Sequence, residues 1–358
     1  VVPALLDRRR GLPAWMAPGL ESLAGATQVL LLVLDGIGWA PLQRHGADLA
    51  WLGAGRGGPI TSVAPTTTAT ALTSITTGTT PAEHGIVGYR MAVGEDGRPA
   101  DEVLNVLQWR IGVADARRRL PATALQRRPP FGGPGVVVLT RADFAPTGFT
   151  AAHLHGSRLL GWRVPSTLVV EARRVLAEGV PFVYAYYDGL DKVAHEYGLG
   201  DHYAGELETV DRLVGDLVAV LPPGAALVVT SDHGQVEVGA NARLPAPELM
   251  AATAMFSGEG RFRWLHARPG AAEDLYKAAE ELHGDEAWVR TRRQLVDEGV
   301  FGGPLAPEVE ARLGDVALLA RRPVAFLDPA DTGETRLAAR HGSLTADEMR
   351  VPLLAWGP

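Results

Sequence analysis

The chain has 358 residues, long enough for one large α/β domain or two domains of ordinary size. Hydrophobic residues make up 46% and charged residues 21%, a globular balance that excludes a disordered chain, and a net charge of −7 excludes the basic stripe a nucleic-acid surface needs. There is no cysteine, so disulfides, thiolate metal sites and cysteine nucleophiles are excluded as well. The longest apolar run, "VLLLVL" at 29–34, is far too short to cross a bilayer. The opening "VVPALLDRRRGLP" does not read as a signal peptide.

In chain order, "QVLLLVLDGIG" (28–38) reads as a buried parallel strand running into a turn at Asp35 and Gly36. "ITSVAP" (60–65) reads as a short second strand. The threonine-rich "TATALTSITTG" reads as a helix stopped by Gly78. "RRRLPATALQRRPPFGGPG" (117–135) is expected to be a surface loop, and "GVVVL" (135–139) a third strand. "PSTLVVEARRVLAEG" is an amphipathic helix. "PFVYAYYDG" (181–189) is a buried strand ending at an aspartate, and "HYAGELETVDRLVGDLVAVL" is a long amphipathic helix. "AALVVTSDHG" (225–234) is again a strand that ends in acid and histidine. Strands alternate with helices, so the fold class is α/β with a mainly parallel sheet between helices. The alternation weakens over about 236–340, which reads as a smaller peripheral insertion on one domain spanning 1–358.

Polar residues end four of these strands: Asp35, the cluster Thr66–Thr68, Asp188 and Asp191 with His195, and Asp232 with His233. Ligands of open parallel sheets bind at the carboxyl ends of the strands, so these groups are expected on one rim. "RHGS" adds His341. Carboxylate and imidazole ligands suit zinc, manganese or a similar divalent ion. Asp191 and His195 are four apart, on one face of a helical turn. Thr68 opens a helix, where free N–H groups favour an anion, and a bound metal ion lowers the pKa of such a hydroxyl. His84 is read as structural. His155 is read with His45, His153, His202, His266 and His283 as surface or packing, and Asp188 as a support for a ligand histidine.

"VLDGIG", "PTTTATALTSITTGTTPAEHGIVGY", "DGLDKVAHEYG", "SDHG" and "RHGSLTADEMRVPLL" occur in the order seen in the alkaline phosphatase superfamily. The chain most resembles its nucleotide pyrophosphatase/phosphodiesterase branch, over residues 29–355. The resemblance implies two metal ions, usually zinc, on an α/β sheet. It places one on Asp35, Asp232 and His233 with the nucleophile, and the other on Asp191, His195 and His341. The family's nucleophile stands ten residues before the glycine of its "TG" pair, which here selects Thr68. Enzymes of this branch often carry an asparagine three residues after the nucleophile; here that position is Ala71.

The expected activity is two-metal hydrolysis of phosphoric esters, foremost phosphodiesters or nucleotide pyrophosphates, through a covalent phosphothreonine. A small phosphoester is the expected partner. A phosphomonoesterase is the alternative on the same site, favoured if a cation such as Arg90 meets a dianionic phosphate. Phosphonoacetate hydrolase-like activity and a metal-binding protein without catalysis are the others.

Overall fold

The apolar run at 28–34 lies at the centre of the molecule, buried at every position. The computed structural model describes residues 1–357 except positions 17, 47, 95–99, 332, 334 and 335. Seven strands form the main sheet. They are Gln28–Leu34 (β1), Arg56–Thr61 (β2), Val137–Arg141 (β3), Arg158–Trp162 (β4), Phe182–Tyr187 (β5), Ala225–Thr230 (β6) and Arg350–Trp356 (β7). Their order is β2-β7-β6-β1-β5-β3-β4. β1 pairs in parallel with both β5 and β6, and β3 with β4 and β5. β7 runs antiparallel between β6 and β2. The α/β class with a mainly parallel sheet is therefore observed.

Alternation along β1 explains why the sheet carries helices on both faces. Val29, Leu31 and Val33 join one core cluster, which includes Ala69 and Leu72 of the helix Thr68–Thr77 (α1). Leu30, Leu32 and Leu34 join the opposite cluster. That one holds Leu168 and Val175 of Pro165–Ala177 (α2), Leu190 and Ala194 of Gly189–Tyr197 (α3), and Leu207 and Val210 of Asp201–Ala219 (α4). Each fully buried leucine or valine contributes about 1.5–3 kcal/mol relative to exposure.

Two four-stranded antiparallel sheets pack beside the main one, and both supply side chains to the first cluster, among them Met91, Leu104, Phe262 and Trp264. One runs through Thr253–Glu259, Phe262–Ala267, Val316–Ala320 and Ala287–Thr291. Its cluster includes Leu275 and Ala279 from the helix Ala272–His283. The other is built from Arg90–Val93, Glu102–Asn105, Arg110–Ile111 and Ala114–Asp115.

Several boundaries differ from the sequence expectation. The second strand ends at Thr61, so Ser62–Pro65 is the descent toward α1. The expected loop at 117–135 contains a helical turn, Ala122–Leu125, and buries Gln126 and Phe131. No helix among the described residues is long and apolar enough to cross a membrane.

Candidate metal centre and nucleophile

Asp35, Asp188 and Asp232 each follow a parallel strand, and the strand ends bring the polar residues to one rim as expected for an open sheet. Asp35 and Asp232 are almost wholly buried, as is His233. His233 Nε2 lies 3.3 Å from Asp35 Oδ1 and 3.5 Å from Asp232 Oδ2. Asp35, Asp232 and His233 offer ligand atoms that all lie within 4.8 Å of one another. A second such group is Asp191, His233 and His341. His341 Nε2 is 3.7 Å from Asp191 Oδ1, and its ring stacks on His233 at 3.5 Å between centroids.

The second triad was expected to contain His195 rather than His233. His195 does reach Asp191 Oδ1, at 3.3 Å across one helical turn of α3. Its Nδ1 is tied to the carbonyl of Ala339 at 2.8 Å, and its ring centroid stays 5.2 Å from that of His341. His341 in turn is held by its Nδ1 on the Thr66 carbonyl at 2.7 Å, which lays its ring over His233. All six acid and imidazole residues thus meet in one cluster.

The fit to a cation rests on two oxygens. Asp35 Oδ1 and Asp232 Oδ2 are buried with no hydrogen-bond partner among the described residues, a costly state unless a cation or proton answers them. Burial, then the Asp232 and Asp191 carboxylates, push the Asp35 carboxyl well above the usual range. Burial raises Asp232 as well. Burial, with His233 and His195 alongside, holds His341 well below the ordinary imidazole value, which favours the neutral ring that a metal would need. Oxygen and imidazole donors of this kind suit a hard or borderline divalent ion.

Thr68 begins α1 and its Oγ1 stands 3.1 Å from His233 Nε2. Thr67 also lines the larger cavity beside it, whereas Thr66 and Thr70 are committed elsewhere or turned away. Thr66 Oγ1 donates to the Ser343 carbonyl at 2.8 Å and accepts from the Gly342 N–H at 3.0 Å. Thr70 Oγ1 is buried without a partner and lines neither cavity that opens at Thr68. Ala71 lines a separate cavity, beside Pro3 and Ile60. A side chain there does not face the cleft, so the departure at Ala71 leaves no gap in this site.

Three residues of the cluster escape the sequence patterns. The Tyr186 hydroxyl donates to Asp35 Oδ2, and burial raises its own pKa well above the phenol range, so it stays a donor. Gln235 Nε2 donates to Asp191 Oδ1 at 2.6 Å. Glu259 Oε2 lies 3.8 Å from His341 Nδ1. Gly36 makes the approach possible: at φ +78°, a β-carbon there would lie 2.8 Å from Gln235 Nε2 and 3.1 Å from Asp191.

Other expectations are settled by contacts. Asp188 supports no histidine; it pairs with Lys192 Nζ at 2.5 Å, and Arg141 Nε is 3.8 Å away. Arg90 lines the cleft but meets Asp328 at 2.5 Å and Asp331 at 3.1 Å. His84 joins Ser74 Oγ at 2.8 Å and accepts from the Ile86 N–H at 3.0 Å, fixing the turn after α1. His155 hydrogen-bonds to the Ala152 carbonyl at 3.2 Å and lines neither cavity at Thr68.

Comparison with known proteins follows this geometry. A family profile described as type I phosphodiesterase / nucleotide pyrophosphatase matches residues 29–344. Among curated proteins none matches in sequence. Murine ectonucleotide pyrophosphatase/phosphodiesterase 5, in an inactive form in complex with AMP, superposes with a TM-score of 0.68 at 16% identity, covering 92% of this chain and 88% of that one. The human counterpart gives 0.67 at 16%, covering 92% of this chain and 88% of its own. Phosphonoacetate hydrolase from Sinorhizobium meliloti, in complex with phosphonoformate, gives 0.62 at 18%, covering 92% and 90%. At these identities the structures establish the shared fold.

Proposed function

We propose, from the premise that this chain belongs to the type I phosphodiesterase / nucleotide pyrophosphatase family, that it hydrolyses phosphodiesters or nucleotide pyrophosphates with Thr68 as nucleophile. The observation that carries the reading is the place of the Thr68 hydroxyl. It stands 3.1 Å from His233 Nε2, beside two buried carboxylate oxygens that no protein donor satisfies.

In this reading Asp35, Asp232 and His233 hold one divalent cation, and Asp191, His195 and His341 hold the other. The ions, zinc or manganese, supply charge for the phosphoryl oxygens and lower the pKa of the nucleophile. Thr68 loses its proton, Oγ1 bonds to phosphorus, and the phosphorus–oxygen bond to the leaving arm breaks. The departing oxygen takes a proton, and water then cleaves the phosphothreonine and restores the hydroxyl. The Tyr186 hydroxyl would orient Asp35 toward its ion by the hydrogen bond it donates, and the Gln235 carboxamide would orient Asp191 in the same way.

The AMP bound by the murine relative supports a nucleotide-like substrate. A monoesterase is disfavoured by Arg90, whose charge is engaged by Asp328 and Asp331. The decisive experiment compares bis-p-nitrophenyl phosphate with p-nitrophenyl phosphate on zinc- and manganese-loaded protein. Faster turnover of the diester supports the reading, and turnover of the monoester alone overturns it.

A further inference from the structure

Two cavities open at Thr68. One, of about 610 Å³, is the more polar of the two and is bounded by Tyr89, Arg90 and Asn105 among others. The second, of about 310 Å³, is walled by rings that include Phe144, Phe149 and Tyr184. Among the described residues four wall both: Thr68, Leu107, Gln108 and Asp191. Thr68 and Asp191 belong to the metal centre. Leu107 and Gln108 lie on the bend between the strands Glu102–Asn105 and Arg110–Ile111, and they form a partition between the two spaces.

That bend is held with unusual firmness. Trp109 sits at φ +55°, where an aromatic residue is rare. Its ring is fully buried and its indole N–H donates to the Leu120 carbonyl at 2.8 Å. Residue 148 has to be glycine, because a β-carbon there would lie 2.3 Å from the Trp109 ring. Asn105 Oδ1 accepts the Gln108 N–H at 3.0 Å, while Asn105 Nδ2 donates to the Tyr89 hydroxyl at 2.7 Å. A strained backbone persists only where its surroundings over-determine it, and such places concentrate at functional sites. Here the strain presents the Gln108 side chain, which is exposed and makes no hydrogen bond among the described residues.

A carboxamide brings two N–H donors and no net charge. A phosphodiester has two ester arms and, between them, non-bridging oxygens that carry its negative charge. With phosphorus at Thr68 Oγ1 and one arm in each cavity, those oxygens come to the partition. We infer that Gln108 is a substrate-contacting residue whose carboxamide donates a hydrogen bond to a non-bridging phosphoryl oxygen. Leu107 and Gln108 then part the ester arms, a ring-bearing arm toward the smaller cavity and a polar arm toward the larger. The inference rests on the phosphodiesterase reading above.

The experiment uses the metal-loaded protein with Gln108→Ala, Gln108→Glu and Gln108→Asn. Loss of a hydrogen bond to a charged group lowers kcat/KM for bis-p-nitrophenyl phosphate roughly 10- to 100-fold in Gln108→Ala. Gln108→Glu falls at least as far, because its carboxylate repels the phosphoryl oxygens, and Gln108→Asn recovers part of the rate. Calorimetry with inorganic phosphate shows a comparable loss of affinity in the first two, while metal content and thermal midpoint stay at the wild-type values. If the wild type hydrolyses the diester and the first two variants stay within about twofold in rate and phosphate affinity, the inference is overturned and the phosphodiesterase reading stands. If the variants lose metal or melt early, Gln108 is structural and the inference is overturned. A wild type that hydrolyses no phosphodiester removes the reading and the inference together.

Discussion

Tyr186→Phe is the most informative single change at the metal centre. The hydroxyl of Tyr186 donates to Asp35 Oδ2, and both residues are buried, Tyr186 at 7% exposure and Asp35 at 2%. Phenylalanine keeps the ring in β5 and in the wall of the smaller cavity, so the packing survives and one donor disappears. Cation binding requires Asp35 ionised, and burial already opposes that state. Without the tyrosine the carboxylate loses a hydrogen bond to a charged group, about 1.5–3 kcal/mol. Roughly 10- to 100-fold in cation affinity follows, the range found for partners that orient metal ligands. The assay is a zinc titration of chelator-stripped protein against a competing chromophoric chelator, with wild type and Tyr186→Phe in parallel. Equal or tighter binding by the variant would refute the reasoning, because it would mean that the hydroxyl does not stabilise the ionised carboxylate.

Stripping the protein with a chelator should abolish hydrolysis, and titration back should take up two ions per chain; saturation at one would remove the second site. Thr68→Ala should keep the fold and much of the ion affinity, since Asp35, Asp232 and His233 remain, yet lose several orders of magnitude in rate. Thr68→Ser should retain far more, and a dead Thr67→Ala beside an active Thr68→Ala would move the nucleophile. Asp35 and Asp232 are raised in the ion-free chain, chiefly by burial, so a cation must compete with protons for them. Ion affinity should therefore rise with pH, and calorimetry in two buffers of different ionisation enthalpy should detect proton release. Burial pushes His153 down to about 4 from an ordinary 6.5. Its contribution to stability is complete above about 6.5 and is lost as pH falls toward about 4, so His153→Phe should flatten the acid limb of a pH–stability curve.

What the sequence revealed and what it hid divide along a physical line. Asp35 and Asp232 were legible because several strands of one parallel sheet end in polar residues, and such ends share one rim, although a single aspartate there is as often a cap or turn residue. Asp191 and His195 were legible because their spacing matches one helical turn. Tyr186 and Gln235 were not, since their partners lie 151 and 44 residues away and only the assembled sheet brings them together. The strand Arg158–Trp162 was missed because it is an edge strand, mostly half-exposed, without the continuous apolar run of β1. β7 was missed as a strand as well. It carries Pro352 and runs against its neighbours, so the alternation of strand and helix gives no hint of it. The hairpin around Trp109 left no pattern either, because its order comes from one buried ring and a few hydrogen bonds.

The charge arrangement explains why this rim calls for ions rather than for arginine or lysine. Three carboxylates, Asp35, Asp191 and Asp232, converge there, and none of them pairs with an arginine or lysine among the described residues. The nearby cations are engaged elsewhere. Lys192 meets Asp188, Arg90 meets Asp328, and Arg261 is locked on Glu348 in full burial. A guanidinium at the rim would neutralise one carboxylate and would compete with an ion for it. Two divalent cations would match three carboxylates together with an ionised Thr68 hydroxyl, charge for charge, with burial holding His341 well below the ordinary imidazole value. A single divalent cation would leave half of that negative charge unanswered, two units in a site where burial already penalises the first. In the proposed reading an ionised Thr68 hydroxyl would complete that balance, since without its charge a pair of divalent cations would be in excess by one.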